Sequence, residues 1–572
     1  MKKLLLLFFG GVFFLNCATV LFAAPPNPLV YDTGPLPLGL QDQLKGPRKP
    51  VPQAYYSRRE SVARIEYSTT GITATTGTAE VVVLLIEFTD VTHGSSYTSS
   101  YFNNLLFSTT DSESMYSYYQ EVSYNQLDID DGDGNPATNN SSNPTSWLTS
   151  AHSMSYYGED STFGIDDATG NIYELAQEAV QLADSSVDFS DYDTNGDGTV
   201  DHVIIVHAGP AQESGGGAYS TDAIWSHRWD IGAGSTNGYL TGDGVYVKGY
   251  TMQAESSPMG IFAHEFGHDL GLPDLYNTSS GASGVGYWSL MDAGSWGGSP
   301  AGSSPSHPSA WGKIYLAWCS PEVLNTTEAD ITVYPVETTQ NNGNKSIYKI
   351  PIAAADDPTQ EYYLLSYRLK TGFDSSLPGE GLLVWHIDDS VGSITQNDVN
   401  NDNNHRRVDL EGPSKTVQSD IGSAFGDGEL FSYPKNTAYN GTDSSITVID
   451  ISGVGGASIT ASITAVEFVE PFAFTKVISY PNPSYDGNTT ISFTITVPAT
   501  TRSLSIYTLS GDLVKNVGKN DIISTSTSDN RVVYSYSWDG KNNDGKEVFS
   551  GIYLYLIKAG EQKKTGKLAI IK

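Results

Sequence analysis

Apolar residues fall along this chain in runs of different spacing, and each spacing predicts its own kind of element. The near-continuous run Val81 to Phe88 reads as a buried strand, and His202 to Gly209 as another, ended by a turn. Between them Ile172, Leu175, Ala176, Ala179 and Leu182 recur at the helical period, which predicts an amphipathic helix over Ile172 to Ala183. After Cys319 the pattern changes to short runs such as YYLLSYR and GLLVWHID, split by Asn, Asp and Gly. That change sets a mainly β domain over 321–467 apart from an α/β domain over 79–320. From 471 to 572, TISFTITV, SLSIYTLS, VVYSYSW, GIYLYLI and KLAIIK alternate apolar with polar positions. This predicts an immunoglobulin-like β-sandwich at the C-terminal end.

The first 24 residues do not fit that scheme. Lys2 and Lys3 precede a long apolar stretch that ends in small residues just before Pro25 and Pro26, as a secretory signal cleaved near Ala23 or Ala24 does. No later apolar run is long enough to span a bilayer, so the expectation is a secreted or cell-surface protein with no transmembrane segment after signal removal. Residues 25–78 are Pro-rich and weakly patterned, suited to a propeptide or N-terminal arm.

Composition narrows the function classes. With 572 residues, 39% hydrophobic and 17% charged, the chain is folded and multidomain rather than a disordered polyelectrolyte. Its net charge of −34 repels phosphate backbones, which argues against nucleic acid as a partner. Of two cysteines, Cys17 lies in the signal and Cys319 stands alone. The mature chain therefore forms no internal disulfide, and bound cations are the natural staple for its long loops.

The chemistry concentrates in SSPMGIFAHEFGHDLGLPD. His264, Glu265 and His268 form an HExxH motif, with Ser257 as predicted N-cap, Pro258 opening the helix and Gly271 ending it. On a helix over 258–270 the two histidines share one face and can hold zinc, while Phe262, Phe266 and Leu270 turn to the core. Gly267 weakens that helix by about 1 kcal/mol relative to Ala, which makes sense if a strand or ligand must come close. Zinc needs a third protein ligand. Asp274, just beyond the helix stop, can turn back to the metal; Glu322, 54 residues past His268 in a loop-like segment, is the poorer candidate. HEFGHDLGLPD then reads as HExxHxxGxxD, a metzincin-type arrangement with Asp in the third place, and Met291 in SLMDAGSW is placed as a Met-turn. Glu265 is the expected general base.

Together with SYYQEVSYNQLDI, DTNGDGTVDHVIIVHAG, IWSHRW and EYYLLSYRLKTGFDSSLPGEGLLVWHID, these motifs resemble the M6 family of secreted metalloproteases, the immune inhibitor A type, over roughly residues 79–465. The resemblance implies a multidomain protein whose α/β zincin (metzincin-like) catalytic domain is followed by a β-rich domain, acting on protein or peptide substrates with one catalytic Zn2+ and bound Ca2+. Ser366 departs from it, because an acidic residue is expected there. The final hundred residues resemble FlgD-like and type IX sorting domains, which implies secretion or cell-surface machinery as a partner.

DTNGDGTVD fits the first nine positions of an EF-hand-type calcium loop, with Asp193, Asn195, Asp197 and Asp201 as oxygen donors and Thr199 offering its carbonyl. Ile204 at the twelfth position removes the usual bidentate carboxylate, so another donor such as Asp191 has to substitute. DIDDGDGN, from Asp128 to Asn135, is a looser cluster of the same kind. The rival to a zinc endopeptidase is a surface adhesin or binding protein on a weakened metalloprotease scaffold, favoured only if the base or a ligand were lost.

Overall fold

The structure is a computed structural model. It describes residues 22–31, 43, 75–132, 143–160, 166, 172–234, 237–338, 344–417, 421–432, 434–466, 474–485, 487–495, 501–526, 532–560 and 562–571. The signal call falls almost wholly outside these residues, as does most of the 25–78 arm. Among the described residues no helix is long and apolar enough to cross a membrane.

Two compact units divide the chain, 1–466 and 467–572. The first opens with β1 (Phe22–Ala23), β2 (Gly77–Glu87), α1 (Ser99–Phe107), α2 (Met115–Ser123), β3 (Leu127–Asp130), β4 (Leu148–Thr149), α3 (Met154–Gly158), α4 (Ile172–Ala183), β5 (His202–His207) and β6 (His227–Asp230). A two-stranded ribbon, β7 (Tyr239–Leu240) and β8 (Tyr246–Val247), leads to β9 (Gly249–Ala254), α5 (Met259–Asp269) and α6 (Ala310–Tyr315). The main sheet runs β1-β6-β9-β5-β2-β3, with β4 also on β2. Its inner pairs β9-β5 and β5-β2 are parallel, whereas β6 on β9 and β1 on β6 are antiparallel. β5 is buried along its whole length and β2 from Val81 to Ile86, as their unbroken apolar runs predict. The helix expected at Ile172–Ala183 has those bounds and buries Ile172, Leu175, Ala176 and Ala179, whereas Leu182, the last residue of the predicted stripe, is exposed.

Residues 321–466 add a five-stranded sheet, built on the antiparallel pair Glu361–Arg368 and Gly381–Asp388, and a three-stranded one. They hold a core of their own, which includes Ile350, Tyr363, Leu382 and Phe431, and they also share a second core with the α/β part. One apolar cluster joins Val81, Phe262, Phe266 and Met291 of the α/β part to Leu364, Trp385, Val399 and Leu410. Buried polar contacts cross the same boundary: Arg368, held between Asp374 (2.5 Å) and Glu337 (3.2 Å), donates to the Trp288 carbonyl at 3.3 Å. His307 donates to Glu121 of α2 at 2.8 Å, and Glu121 also accepts from the Phe373 N–H at 2.9 Å. Ser366, where an acidic residue was expected, is buried and accepts from Trp385 Nε1 at 3.0 Å, so an apolar-lined site holds a neutral partner.

The second unit consists of two four-stranded antiparallel sheets around one core that includes Phe493, Ile506, Tyr534, Trp538 and Ile557. Thr489–Ile495 alternates buried and half-buried positions, as its sequence predicts. Three of the eight strands, Phe474–Tyr480, Leu513–Val517 and Ile523–Ser526, have patterns too mixed to be singled out in the sequence.

Candidate metal centre

The site is built on α5. The helix begins one residue later than the capping pattern predicts: Pro258 occupies the N-cap position, and the buried Ser257 Oγ has no hydrogen-bond partner. Its end follows the expected chemistry. Gly271 takes φ +101°, and the N–H groups of Gly271 and Leu272 return to the carbonyls of His268 (2.9 Å) and Gly267 (3.0 Å). Phe262, Phe266 and Leu270 are buried in the core, as their spacing requires.

That reversal carries Asp274 back over the helix. Asp274 Oδ1 lies 3.2 Å from His264 Nε2 and 3.1 Å from His268 Nε2, and the two nitrogens are 3.1 Å apart. These edges approach the roughly 3.3 Å expected of a tetrahedron with metal bonds of about 2.0–2.1 Å. Among the described residues this is the one group of three or more His, Cys, Asp or Glu side chains whose ligand atoms all lie within 4.8 Å of one another. Each imidazole is fixed in the tautomer a metal needs. His264 Nδ1 lies 2.9 Å from the Leu290 carbonyl and His268 Nδ1 2.7 Å from the Leu272 carbonyl. A carbonyl only accepts, so each Nδ1 carries the proton and each Nε2 keeps its lone pair. Burial holds His268 below the usual histidine range, which also favours the neutral ring. The donor set fits zinc. Glu265 is fully buried beside His264 on the same helix.

Met291 is buried under this site. A Cβ at position 267 would stand 2.9 Å from Met291 Sδ, so the close approach that Gly267 permits is by this side chain, not by a strand or ligand. The Met291 carbonyl accepts from the Leu275 N–H at 2.7 Å, tying the turn to the Asp274 loop. Asp292 is no ligand. Its carboxylate accepts from the N–H groups of Gly284, Val285, Gly286 and Ala293 and from Ser283 Oγ, locking the turn. Glu322 is about half-exposed and paired with Lys345 at 2.8 Å, which leaves Asp274 as the third member.

Surrounding motif residues hold α5 in place. Tyr119 of α2 donates to the Ala263 carbonyl at 2.7 Å. Asp269, the last helical residue, receives His202 Nδ1 at 2.7 Å and Arg228 Nε at 3.2 Å. Burial opposes its charge, but these two donors keep its carboxyl below the usual range. Two further contributors were not legible in the sequence. Asn397 binds Asp274 directly. Where the expected signal meets the arm, the Ala24 N–H donates to the Ser226 carbonyl, and the carbonyls of Ala23, Ala24 and Pro25 accept from Tyr276, Trp225 and Trp296 beside α5.

The loop from Asp193 to Asp201 is exposed and internally bonded. Asp193 accepts from the N–H groups of Asp197 (3.0 Å) and Gly198 (2.9 Å), Asn195 Oδ1 from Asp197 (2.9 Å), and Asp197 from Thr199 (3.0 Å). Asp201 accepts from Thr194 and Asn195, and Gly196 and Gly198 take φ of +71° and +87°. Asp191 has Asp188 and Asp243 as its charged neighbours. Of the looser cluster, residues 133–135 lie outside the described residues; Asp130 and Asp131 are buried. Burial, and a hydrogen bond with Asp130, push the Glu80 carboxyl up to about 8.

Residues 68–319 match the family described as Immune inhibitor A peptidase M6, catalytic domain, the family that the motifs of this stretch resemble. Two named relatives are similar to this chain. The pre-pro-metalloprotease PrtV of Vibrio cholerae is 32% identical over 331 residues, covering 48% of this chain and 34% of that protein. Immune inhibitor A of Bacillus thuringiensis subsp. alesti is 32% identical over 280 residues, covering 41% and 39%. The chain thus spans little more than a third of the length of these relatives. Among solved structures, OgpA from Akkermansia muciniphila overlaps 91% of this chain and 97% of its own at 12% identity and a TM-score of 0.23.

Proposed function

We propose that this protein is a secreted zinc-dependent endopeptidase with a metzincin-like catalytic domain. The observation that carries the reading is the triangle of His264 Nε2, His268 Nε2 and Asp274 Oδ1, whose edges of 3.1–3.2 Å match a tetrahedral zinc site. A zinc ion held there supplies Lewis acidity toward a water and the scissile carbonyl. Glu265, adjacent to His264 but not part of the triangle, takes the proton of the attacking water and passes it to the leaving amine. Asp274 brings a negative charge where a third histidine would bring none, which keeps that water somewhat more basic. The Leu290 and Leu272 carbonyls hold the imidazoles in register, and Met291 forms the floor.

Calcium at Asp193, Asn195, Asp197, Thr199 and Asp201 is the proposed staple of the loop between α4 and β5. Residues 25–78 are read as a propeptide or N-terminal arm, and the C-terminal unit as an immunoglobulin-like sorting or surface domain. The adhesin alternative loses its support, because neither the base nor a ligand is missing.

A casein or gelatin zymogram tests the proposal. Clearing that disappears with a zinc chelator and returns with added zinc is the expected result. Clearing indifferent to the chelator, or none from zinc-loaded protein, contradicts it.

A further inference from the structure

The carboxylate of Asp274 has two oxygens, and something must decide which one faces the histidines. Oδ1 faces them; Oδ2 accepts from Asn397 Nδ2 at 2.6 Å, while Asn397 Oδ1 accepts from the Asp274 N–H at 2.7 Å. One side-chain amide therefore closes a two-point clamp on one residue, fixing its backbone and its carboxylate together. Asn397 comes from 123 residues downstream, in the β-rich segment, at the end of the short 3-10 turn Ile394–Gln396. It is buried and holds φ +51°, a conformation that Asn tolerates better than most residues. Neighbours bind the same two loops without touching Asp274: Asn400 Nδ2 donates to the Leu275 carbonyl (2.7 Å), and Asn401 Oδ1 accepts from the Thr278 N–H (2.7 Å). They hold the chain segments together, and Asn397 alone of the three reaches the ligand carboxylate.

We infer that Asn397 is a positioning residue for the zinc site, so that the segment after residue 320 completes a metal centre whose three ligands all lie before it. The inference rests on the zinc reading above. An amide suits the task because it offers an acceptor to the N–H and a donor to the carboxylate. A carboxylate at 397 would keep the first contact and set like charges against each other at the second. Glycine would keep the backbone conformation and lose both contacts.

Zinc affinity of the full-length protein, measured by competition with a chromogenic chelator, tests this without recourse to proteolysis. Partners of this kind typically change metal affinity 10–100-fold. Asn397→Gly is expected to weaken zinc binding by about that factor and Asn397→Asp by more. Asn403→Ala, which loses a 3.1 Å contact to Asn277 and none to Asp274, should bind zinc as the parent does. Melting of the zinc-free proteins separates positioning from scaffolding. Parental zinc affinity in both Asn397 variants overturns the inference, and so does a lowered zinc-free melting temperature with zinc affinity unchanged. A parent chain that binds no zinc overturns the zinc reading and this inference with it; a zinc-binding parent with indifferent variants overturns this inference alone.

Discussion

Gly267 sits between His264 and His268, the proposed zinc ligands, and replacing it with alanine sets two calculable effects against each other. Inside a helix, alanine is favoured over glycine by about 1 kcal/mol. Against this, the new methyl would lie 2.9 Å from Met291 Sδ and 3.5 Å from Leu290 Cδ2. A comfortable carbon–sulfur contact is roughly 3.5–4 Å, so Met291, which is buried and lines a small cavity with Leu272, Leu275 and Trp311, must retreat by about 0.6–1.1 Å. Overpacking of this size costs about 1–3 kcal/mol. Gly267→Ala is therefore expected to destabilise the zinc-free protein by about 0–2 kcal/mol, despite its better helix propensity. Met291→Ala alone should cost about 2–5 kcal/mol through the cavity it opens. In the double variant the methyl introduced at position 267 enters that cavity, so the combined loss should fall short of the sum by at least about 1 kcal/mol. Urea unfolding with a chelator present, followed by tryptophan fluorescence, measures all three variants. A Gly267→Ala protein stabilised by the full helix-propensity gain, or single-variant losses that add within about 0.5 kcal/mol, would refute the claim that Met291 dictates glycine here.

Three further outcomes follow from the geometry. Asp274→Ala should lose stoichiometric zinc together with activity, as measured by elemental analysis after gel filtration; full zinc retention would reopen the third-ligand assignment. Asp193→Ala combined with Asp197→Ala should lower the melting temperature in millimolar calcium and flatten its calcium dependence, since a ligand at a hundredfold excess over Kd adds about 2.7 kcal/mol; melting identical to the parent at every calcium concentration would make the loop a plain turn. His207 is fully buried at the end of β5, and burial pushes its pKa down to about 4. Below about pH 6.5 the unfolded chain binds a proton that the native imidazole refuses, so stability falls as pH drops from about 6.5 toward 4, by up to about 3 kcal/mol. His207→Phe should remove that portion of the pH dependence, and an unchanged slope in the variant would contradict it.

Elements specified by local pattern were legible in the sequence. The period of Ile172 to Ala183 fixes the helix and four of its five expected buried positions, all but Leu182, and Gly271 ends α5 because the next turn demands a positive φ. The cluster of His264, His268 and Asp274 was legible for the same reason: four- and six-residue spacings on a helix and its reversal bring the three side chains together. What the sequence hides depends on distant partners. Ser257 fits a capping pattern, yet its hydroxyl makes no hydrogen bond and Pro258 takes the cap position. Asp292 looks like a spare acid beside the motif until the four N–H groups folded around it are seen. Asn397 lies in NDVNN, a run that reads as any polar loop, and only the fold sets it against Asp274. Likewise the sequence divides the chain at about residue 320 on the change of pattern, while Trp385 and Leu410 share a core with Phe262 and Met291 across that boundary.

The central claim is that Glu265 acts as the base while His264, His268 and Asp274 hold the metal. Glu265→Gln separates these roles, because the amide keeps the side chain's shape and removes its capacity to take a proton. Proteolysis and zinc content are to be measured on the same purified sample. The account predicts about one zinc per chain with proteolysis reduced to background; near-parental proteolysis in that variant would contradict it.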